Sequence, residues 1–490
     1  MHKKSYVALA ICLLVSVAAM AAESDILIAD FEWEIWEGSG WTVTGEAFGP
    51  GPARGTLPNQ MAVSGFEGKR LVNTYHKGDG TTGTATSLPF AIERKYLNFL
   101  IGGGGYEGKT CMNLLVDGKV VRTATGPNTR PGGSEALDWH AWDVADLIGK
   151  QGVLQIVDLA TGGWGHVNVD HVVLSNRKAE LVTIAREMLV NRPYLHLPVK
   201  TGASKRLMRL VVDGILARQF DIELADGEPD FWTYTEVEAY RGKTLRVEVD
   251  RMWPDSASLE AVQLAETWPD LDAIYRERLR PQFHFAPAYG WMNDPNGMVY
   301  HDGEYHLFFQ HNPYGVNWGN MTWGHAVSTD MLHWRQLPGA IHPDGLGTIF
   351  SGSGVVDHKN TTGWQTGEHK PIVAVYTSAG GTSAQSRGQS FTQSVAYSID
   401  RGRTFTNYDG NPVLKHLVKG NRDPKVLWHE PTSQWVMIVY FERPRFALFG
   451  SADLKHWTKL SELDIPDGYE CPDLFELPVD GNAKDTRWVV

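Results

Sequence analysis

Three acidic residues in the second half of the chain stand just ahead of a proline: Asp294-Pro295, Asp423-Pro424 and Glu470-Cys471-Pro472. Each leads into a run suited to a strand, so the three acids open equivalent pieces of chain. Convergent carboxyl groups of this kind suit glycoside hydrolysis. In the retaining mechanism a carboxylate nucleophile and a carboxylic acid lie about 5–5.5 Å apart across the scissile bond. A single Asp-Pro is an ordinary turn starter, but three in register point to a common role. Clustered carboxylates can also hold calcium. The DxDxDG spacing of an EF-hand is missing, so no metal site is expected. Zinc is disfavoured as well, because two cysteines beyond Cys12 cannot make an all-thiolate site and no His-Glu-x-x-His motif occurs.

The elements that must position these acids repeat. Val327-Ser328-Thr329-Asp330 before Trp334, Tyr397-Ser398-Ile399-Asp400 before Phe405, and Gly450-Ser451-Ala452-Asp453 before Trp457 are versions of one unit: outer strand, Asp turn, packed aromatic. The inner half repeats as two apolar strands. Met298–Tyr300 leads to Tyr305–Phe309, Gly354–Val356 to Ile372–Tyr376, and Val426–Trp428 to Trp435–Tyr440. Four strands per unit, in series, predict a β-propeller. First strands of propeller blades line the central channel, so acids at their starts should share one pocket. Three units are complete and a fourth begins at Asp473–Leu477, so the chain is expected to stop inside a blade. An open propeller would expose strand edges, which predicts poor solubility or weak turnover for this chain alone. Asn296-Gly297 and Asp302-Gly303 are both expected to form hairpin turns.

Upstream, residues 25–176 alternate short β-type runs (Lys95–Ile101, Asn113–Val116, Val153–Val157, His171–Leu174) with Gly-rich turns, predicting a sandwich or jelly roll. Within it, an exposed Trp164 and His166 could bind glycan, although a Gly-rich turn around a buried Trp is the stronger reading. Residues 177–272 form a second, small β unit with Leu207–Val212 and Thr244–Val249 as strands, and Asp270–Leu279 is expected to be helical. A length of 490 residues fits about three domains at roughly 150 residues each. The 45 basic and 57 acidic residues give a net charge of −12, with no basic cluster, which argues against nucleic acid as a partner and favours an uncharged ligand. The apolar run Val7–Met20 follows His2-Lys3-Lys4 and precedes Ala21, the pattern of a cleavable signal peptide over residues 1–22. It is too short to span a bilayer, no later segment comes close, and a secreted or periplasmic location is expected. Cys111 and Cys471 are too far apart in sequence to predict a disulfide.

Taken in order, Trp291-Met292-Asn293-Asp294-Pro295-Asn296-Gly297, Phe308-Phe309-Gln310, Trp323-Gly324-His325, Phe350-Ser351-Gly352-Ser353, Arg422-Asp423-Pro424 and Glu470-Cys471-Pro472 resemble glycoside hydrolase family 32, the invertases, inulinases and levanases. The resemblance covers roughly 282–490. The two upstream units resemble, more weakly, the amino-terminal domains of some bacterial levanase-like members. It implies a five-bladed propeller followed by a β-sandwich, reached here only into the fourth blade. It implies Asp294 as the nucleophile forming a covalent fructosyl-enzyme. Glu470 becomes the acid/base, its pKa raised by burial and neighbouring carboxylates. Asp423 becomes the stabiliser of the transition state, kept ionised by Arg422. Asn293, Gln310, Trp318, Phe350 and Ser351 would contact the fructose, an aromatic wall with amides and hydroxyls suiting a sugar. Trp318 could equally be core. Trp334 and Trp457 read as packing, and Cys471 as a support to Glu470, since no His partner lies near.

The function expected is release of terminal β-fructofuranosyl units from levan, inulin or sucrose with retention and without a cofactor. A fructosyltransferase on the same site is the rival within the class. A carbohydrate-binding protein on a degenerate propeller is the rival outside it, and loss of an acid would mark it; all three are present.

Overall fold

Apolar residues alternating along short strands need a second sheet to cover them, and the first 150 or so residues supply two. The computed structural model describes residues 25–254, 256–418 and 420–490; the expected signal peptide lies outside the described residues. One sheet runs Ile26–Ala29, Val167–Ser175, Tyr96–Gly103, Asp138–Asp143, and the other Trp41–Gly45, Gly83–Ser87, Gln151–Asp158, Thr110–Val116, Lys119–Thr125. Phe31, Phe99, Leu97, Met112, Leu114 and Ile156 fill the space between them. His166 is not on the surface. It is buried between Asp79 (2.6 Å) and Glu135 (2.9 Å), and Trp164 donates its indole N–H to the Arg130 carbonyl (2.9 Å).

The second unit is also two-layered. Val182–Leu189, Thr244–Met252, Arg206–Val212 and Ile215–Ile222 face Phe231–Glu236, Tyr194–Val199 and Gln263–Ala265 across a core of Leu195, Leu197, Met208, Leu210 and Val247. Tyr314, from the third unit, enters this core and stacks on Phe220 with ring centroids 3.6 Å apart. The expected helix at Asp270–Leu279 is instead a series of turns. Asp270 and Tyr275 take left-handed φ of 50° and 64°, which an α-helix excludes, and Leu271 and Leu279 are exposed rather than buried on one face.

From Trp291 three four-stranded antiparallel sheets follow in series. The first is Trp291–His301, Glu304–Asn312, Thr322–Ser328, Arg335–Ile341, the second Thr348–Val356, Ile372–Ala379, Thr392–Ser398, Thr406–Asn407, and the third Arg422–His429, Gln434–Glu442, Arg445–Ser451, Thr458–Asp464. Phe475–Val479 pairs with Asn482–Val489 in a further sheet. The repeat seen in the sequence is physical. Asp330 and Asp453 each accept two backbone N–H groups and a histidine ring N, from His333 and His456, and Trp334 and Trp457 donate to the carbonyls of Met331 and Leu454.

The first strands of the blades pack side by side. Ser353 Oγ donates to the Pro424 carbonyl and accepts from Val426 N, both at 2.9 Å. Asp302-Gly303 makes the first hairpin turn, both residues with positive φ. Asn296-Gly297 does not; it lies inside the strand Trp291–His301, where the register slips between Asn296 and Val299. Gly297 has φ +53°, and a Cβ there would stand 2.7 Å from the Phe308 ring and 2.8 Å from that of Trp323. Close approach of backbone to two buried rings, not a turn, requires this glycine.

Candidate active site

Each of the three inner strands breaks register at a residue singled out from the sequence. The pairing slips between Met292 and Pro295, between Phe350 and Gly352, and between Arg422 and Lys425, leaving Asp294, Ser351 and Asp423 at the irregularities. Proline cannot donate to a ladder and is tolerated at such bulges, and a bulge re-aims the side chain beside it. Asp423 is turned further by a left-handed φ of 61°. Cys471, after the third acid, has φ 55°.

The result is one cleft walled by Asn293, Asp294, Gln310, Trp318, Phe350, Ser351, Arg422, Asp423 and Glu470. These are all nine residues expected at the site. Asp294 accepts from Ser351 Oγ (2.6 Å) and Asn293 Nδ2 (3.2 Å), and Asn293 is itself held by the Trp291 indole N–H (2.9 Å). Gln310 is buried and donates to the Ile349 carbonyl (2.9 Å). Trp318 meets Phe350 edge to face at 5.8 Å and is half-buried, a cleft wall rather than core. Cys471 ties the acids together: its N–H donates to Asp423 Oδ2 (3.2 Å), and its Sγ lies 3.7 Å from Asp294 Oδ2. No disulfide joins it to Cys111, and both thiols are free.

One electrostatic expectation needs correction. Glu470 is not buried; its side chain is 48% exposed, and Arg422 forks onto Oε2 from Nε (3.1 Å) and Nη2 (2.7 Å). It stands at the mouth of the cleft, where water reaches it. Asp423 is the buried acid. Desolvation pushes its carboxyl up to about 6, against the lowering by Arg422, whose Nε is 3.5 Å away, and by the Cys471 N–H. Arg422 alone therefore does not hold Asp423 in the ordinary carboxylate range. The Cys471 thiol is raised by desolvation and then by the charges of Asp423, Asp294 and Glu470, which keeps it protonated and non-nucleophilic.

Several supporting residues were not singled out from the sequence. Thr377 Oγ1 accepts the Asp423 N–H (2.9 Å) and donates to Gln393 Oε1 (2.7 Å), all three residues buried. The signal was the polar pair Thr377-Ser378 in the otherwise largely apolar strand Ile372–Ala379. Tyr440 lies under the Arg422 guanidinium at 4.6 Å and Tyr469 at 5.6 Å. Nothing in their spacing marks them. Among the described residues, no group of three or more His, Cys, Asp or Glu is arranged to hold a metal ion. No helix there is long and apolar enough to cross a membrane.

Residues 284–490, which carry this cleft and the series of four-stranded sheets, match the family model Glycosyl hydrolases family 32 N-terminal domain. The chain is 53% identical over 224 residues to the Levanase of Bacillus subtilis (strain 168), covering 44% of this chain and 32% of that protein. It is 42% identical over 242 residues to an Extracellular exo-inulinase of Aspergillus niger, covering 44% of each. The solved exo-inulinase from Aspergillus awamori is 40% identical, with a TM-score of 0.40 over 44% of this chain and 46% of that one. The chain thus spans from about a third to under half of the length of these relatives.

Proposed function

We propose that the protein is a secreted retaining glycosidase that releases terminal β-D-fructofuranosyl units from fructans (levan or inulin) or sucrose. In this reading Asp294 attacks the anomeric carbon and forms a fructosyl-enzyme. Glu470 first donates a proton to the leaving oxygen and then takes one from the water that frees the fructose. Asp423 accepts hydroxyl hydrogen bonds that strengthen as positive charge builds on the ring. The observation that carries the proposal is the single cleft shared by the three carboxyls and by Asn293, Gln310, Trp318, Phe350 and Ser351.

The differing surroundings suit the roles. Asp294 receives only neutral donors, the Ser351 hydroxyl, the Asn293 amide and the Cys471 thiol, so no cation competes for its charge with a reacting carbon. Glu470, open to water and paired with Arg422, can be reached by the water whose proton it takes in the second half-reaction. Relatives named Levanase, Extracellular exo-inulinase and Invertase support the substrate class and the secreted location. The test is incubation with levan, inulin and sucrose separately, measuring free fructose. Asp294→Asn should lower turnover by at least about 10³-fold with an unchanged thermal midpoint. An Asp294→Asn variant as active as the parent would remove the nucleophile assignment.

A further inference from the structure

A second cavity lies where all three units meet. Its walls come from 125–140 of the first sandwich, 204–221 of the second unit, and 318–321 and 382–384 of the propeller. The propeller segments are the loops after the second strands of blades one and two. Those strands run antiparallel to first strands that carry Asp294 and Ser351 near their starts, so their loops return to the end that holds the acid cleft. Trp318 belongs to both walls, that of the acid cleft and that of this cavity.

The contact is built rather than incidental. Arg130 of the sandwich donates through Nη1 to the carbonyls of Gly381 (2.7 Å) and Ser383 (3.0 Å) in blade two. Lys205 of the second unit donates to the carbonyls of Gly132 (2.9 Å) and Gly133 (3.0 Å) of the sandwich. Asn320 of blade one exchanges hydrogen bonds with the Asp221 backbone at 2.9 and 2.7 Å. Gly132, with φ +82°, sits so close that a Cβ would be 3.1 Å from Trp318 Cζ3. The sandwich therefore backs the aromatic wall of the acid cleft.

The chemistry of the cavity selects its occupant. Its cations are already engaged: Arg130 and Lys205 by carbonyls, and Arg251 by Asp138 Oδ2 (3.1 Å). The Asp221 carboxyl remains enclosed yet reachable by water, its pKa raised by burial against Lys205 and Arg130. An anion finds no unengaged cluster of charge here. A hydroxyl-rich neutral chain finds carbonyls, a carboxyl and an indole.

We propose that this cavity receives the sugar units that follow the terminal fructosyl residue of a fructan, making the two upstream units part of the substrate path. The inference rests on the fructosidase reading. It is tested in the turnover-silenced Asp294→Asn protein by calorimetric titration with fructose and with fructo-oligosaccharides of the levan and inulin types. An oligosaccharide should bind at least about tenfold more tightly than fructose, equivalent to about 1.4 kcal/mol. Ala384→Trp from the propeller side and Thr129→Trp from the sandwich side, each added to Asp294→Asn, should abolish that gain and leave fructose affinity unchanged. Fructose affinity also reports that each variant is folded. Oligosaccharides binding no better than fructose, or a gain that survives both tryptophans, would overturn the inference alone. Absence of fructose binding, with no fructose released by the parent, would remove the fructosidase reading and this inference with it.

Discussion

Arg422 is the residue whose removal most directly tests the electrostatics of the site. Asp423 is 5% exposed with its carboxyl at about 6, and Arg422 Nε lies 3.5 Å from Oδ2. At an effective dielectric of about 20, two unit charges at that separation attract by about 5 kcal/mol, a gross figure. Arginine remains partly solvated, and carboxylates beside one are in practice lowered by about 1–3 in pKa. Arg422→Met should therefore move Asp423 to between about 7 and 9. The sign follows from which form works. The stabilising role proposed for Asp423 needs the ionised carboxylate, so kcat/KM is expected to fall as pH falls through the folded-state pKa. In the parent this limb lies near pH 6; in Arg422→Met it moves to higher pH. A carboxyl at about 6 is roughly 90% ionised at pH 7 and one at about 8 roughly 10%, so titration alone costs roughly ninefold at neutrality. Loss of the exposed Arg422–Glu470 fork adds less, because solvent screens it. The assay is kcat/KM for sucrose from pH 5 to 9 in parent, Arg422→Met and Arg422→Lys. Lysine keeps the charge without the fork and should restore part of the shift. An acidic limb that stays within a few tenths of the parent's in Arg422→Met would refute the claim that Arg422 sets the charge on Asp423.

Three further outcomes are expected. Thr377→Val removes the acceptor of the Asp423 N–H and strands Gln393, and should lower unfolding free energy by about 1–3 kcal/mol in urea, whereas Thr377→Ser keeps both bonds. Gly297→Ala forces a left-handed Cβ against the Phe308 and Trp323 rings, both fully buried, and should cost roughly 2–5 kcal/mol by the same measurement. Iodoacetamide at pH 8 should alkylate Cys471 more than about tenfold more slowly than a small free thiol, followed by mass spectrometry. Asp294→Asn, which removes one of the charges holding that thiol up, should speed the reaction.

Much of the acid-bearing region could be read from residue types because its signals are local. The Ser-x-Asp turns with a following aromatic repeat because each blade needs the same corner, and the structure shows the same hydrogen bonds at Asp330 and Asp453. Proline after each acid marks the inner-strand irregularities at Asp294 and Asp423, since proline at a strand start or bulge avoids a lost ladder bond. Where the outcome depends on distant partners, the sequence misled. Asn-Gly has the same composition in a hairpin turn as in a bulge, and only the rings of Phe308 and Trp323 decide that Gly297 is in the bulge. Residues 270–279 carry helix formers but no face to bury, so turns prevail. The exposure of Glu470 and the burial of Asp423 depend on Cys471, Thr377 and Arg422 arriving from separate segments, which spacing does not encode.

These separate arrivals explain why three chemically similar acids end in three unlike states. Asp294 sits at a bulge in an inner strand and meets only neutral donors, the Ser351 hydroxyl, the Asn293 amide and the Cys471 thiol. Asp423 sits one blade pair further round, on a left-handed residue packed over Thr377, and burial opposes its charge so strongly that Arg422 only partly compensates. Such a carboxylate gains most from a ligand that brings hydroxyl donors or positive charge, because each restores solvation it has lost. Glu470 comes from the loop before the last sheet, where Arg422 reaches it without excluding water. Arg422, fixed over Tyr440, thus touches the two acids that must differ most, and the difference between them is set by depth in the cleft rather than by the shared partner. Moving Glu470 one residue along its loop would place Cys471, with its left-handed backbone and its N–H on Asp423, where the Glu470 carboxyl now stands. The spacing Glu470-Cys471-Pro472 is therefore required by two functions at once, a solvent-reachable acid and a backbone donor to the buried one.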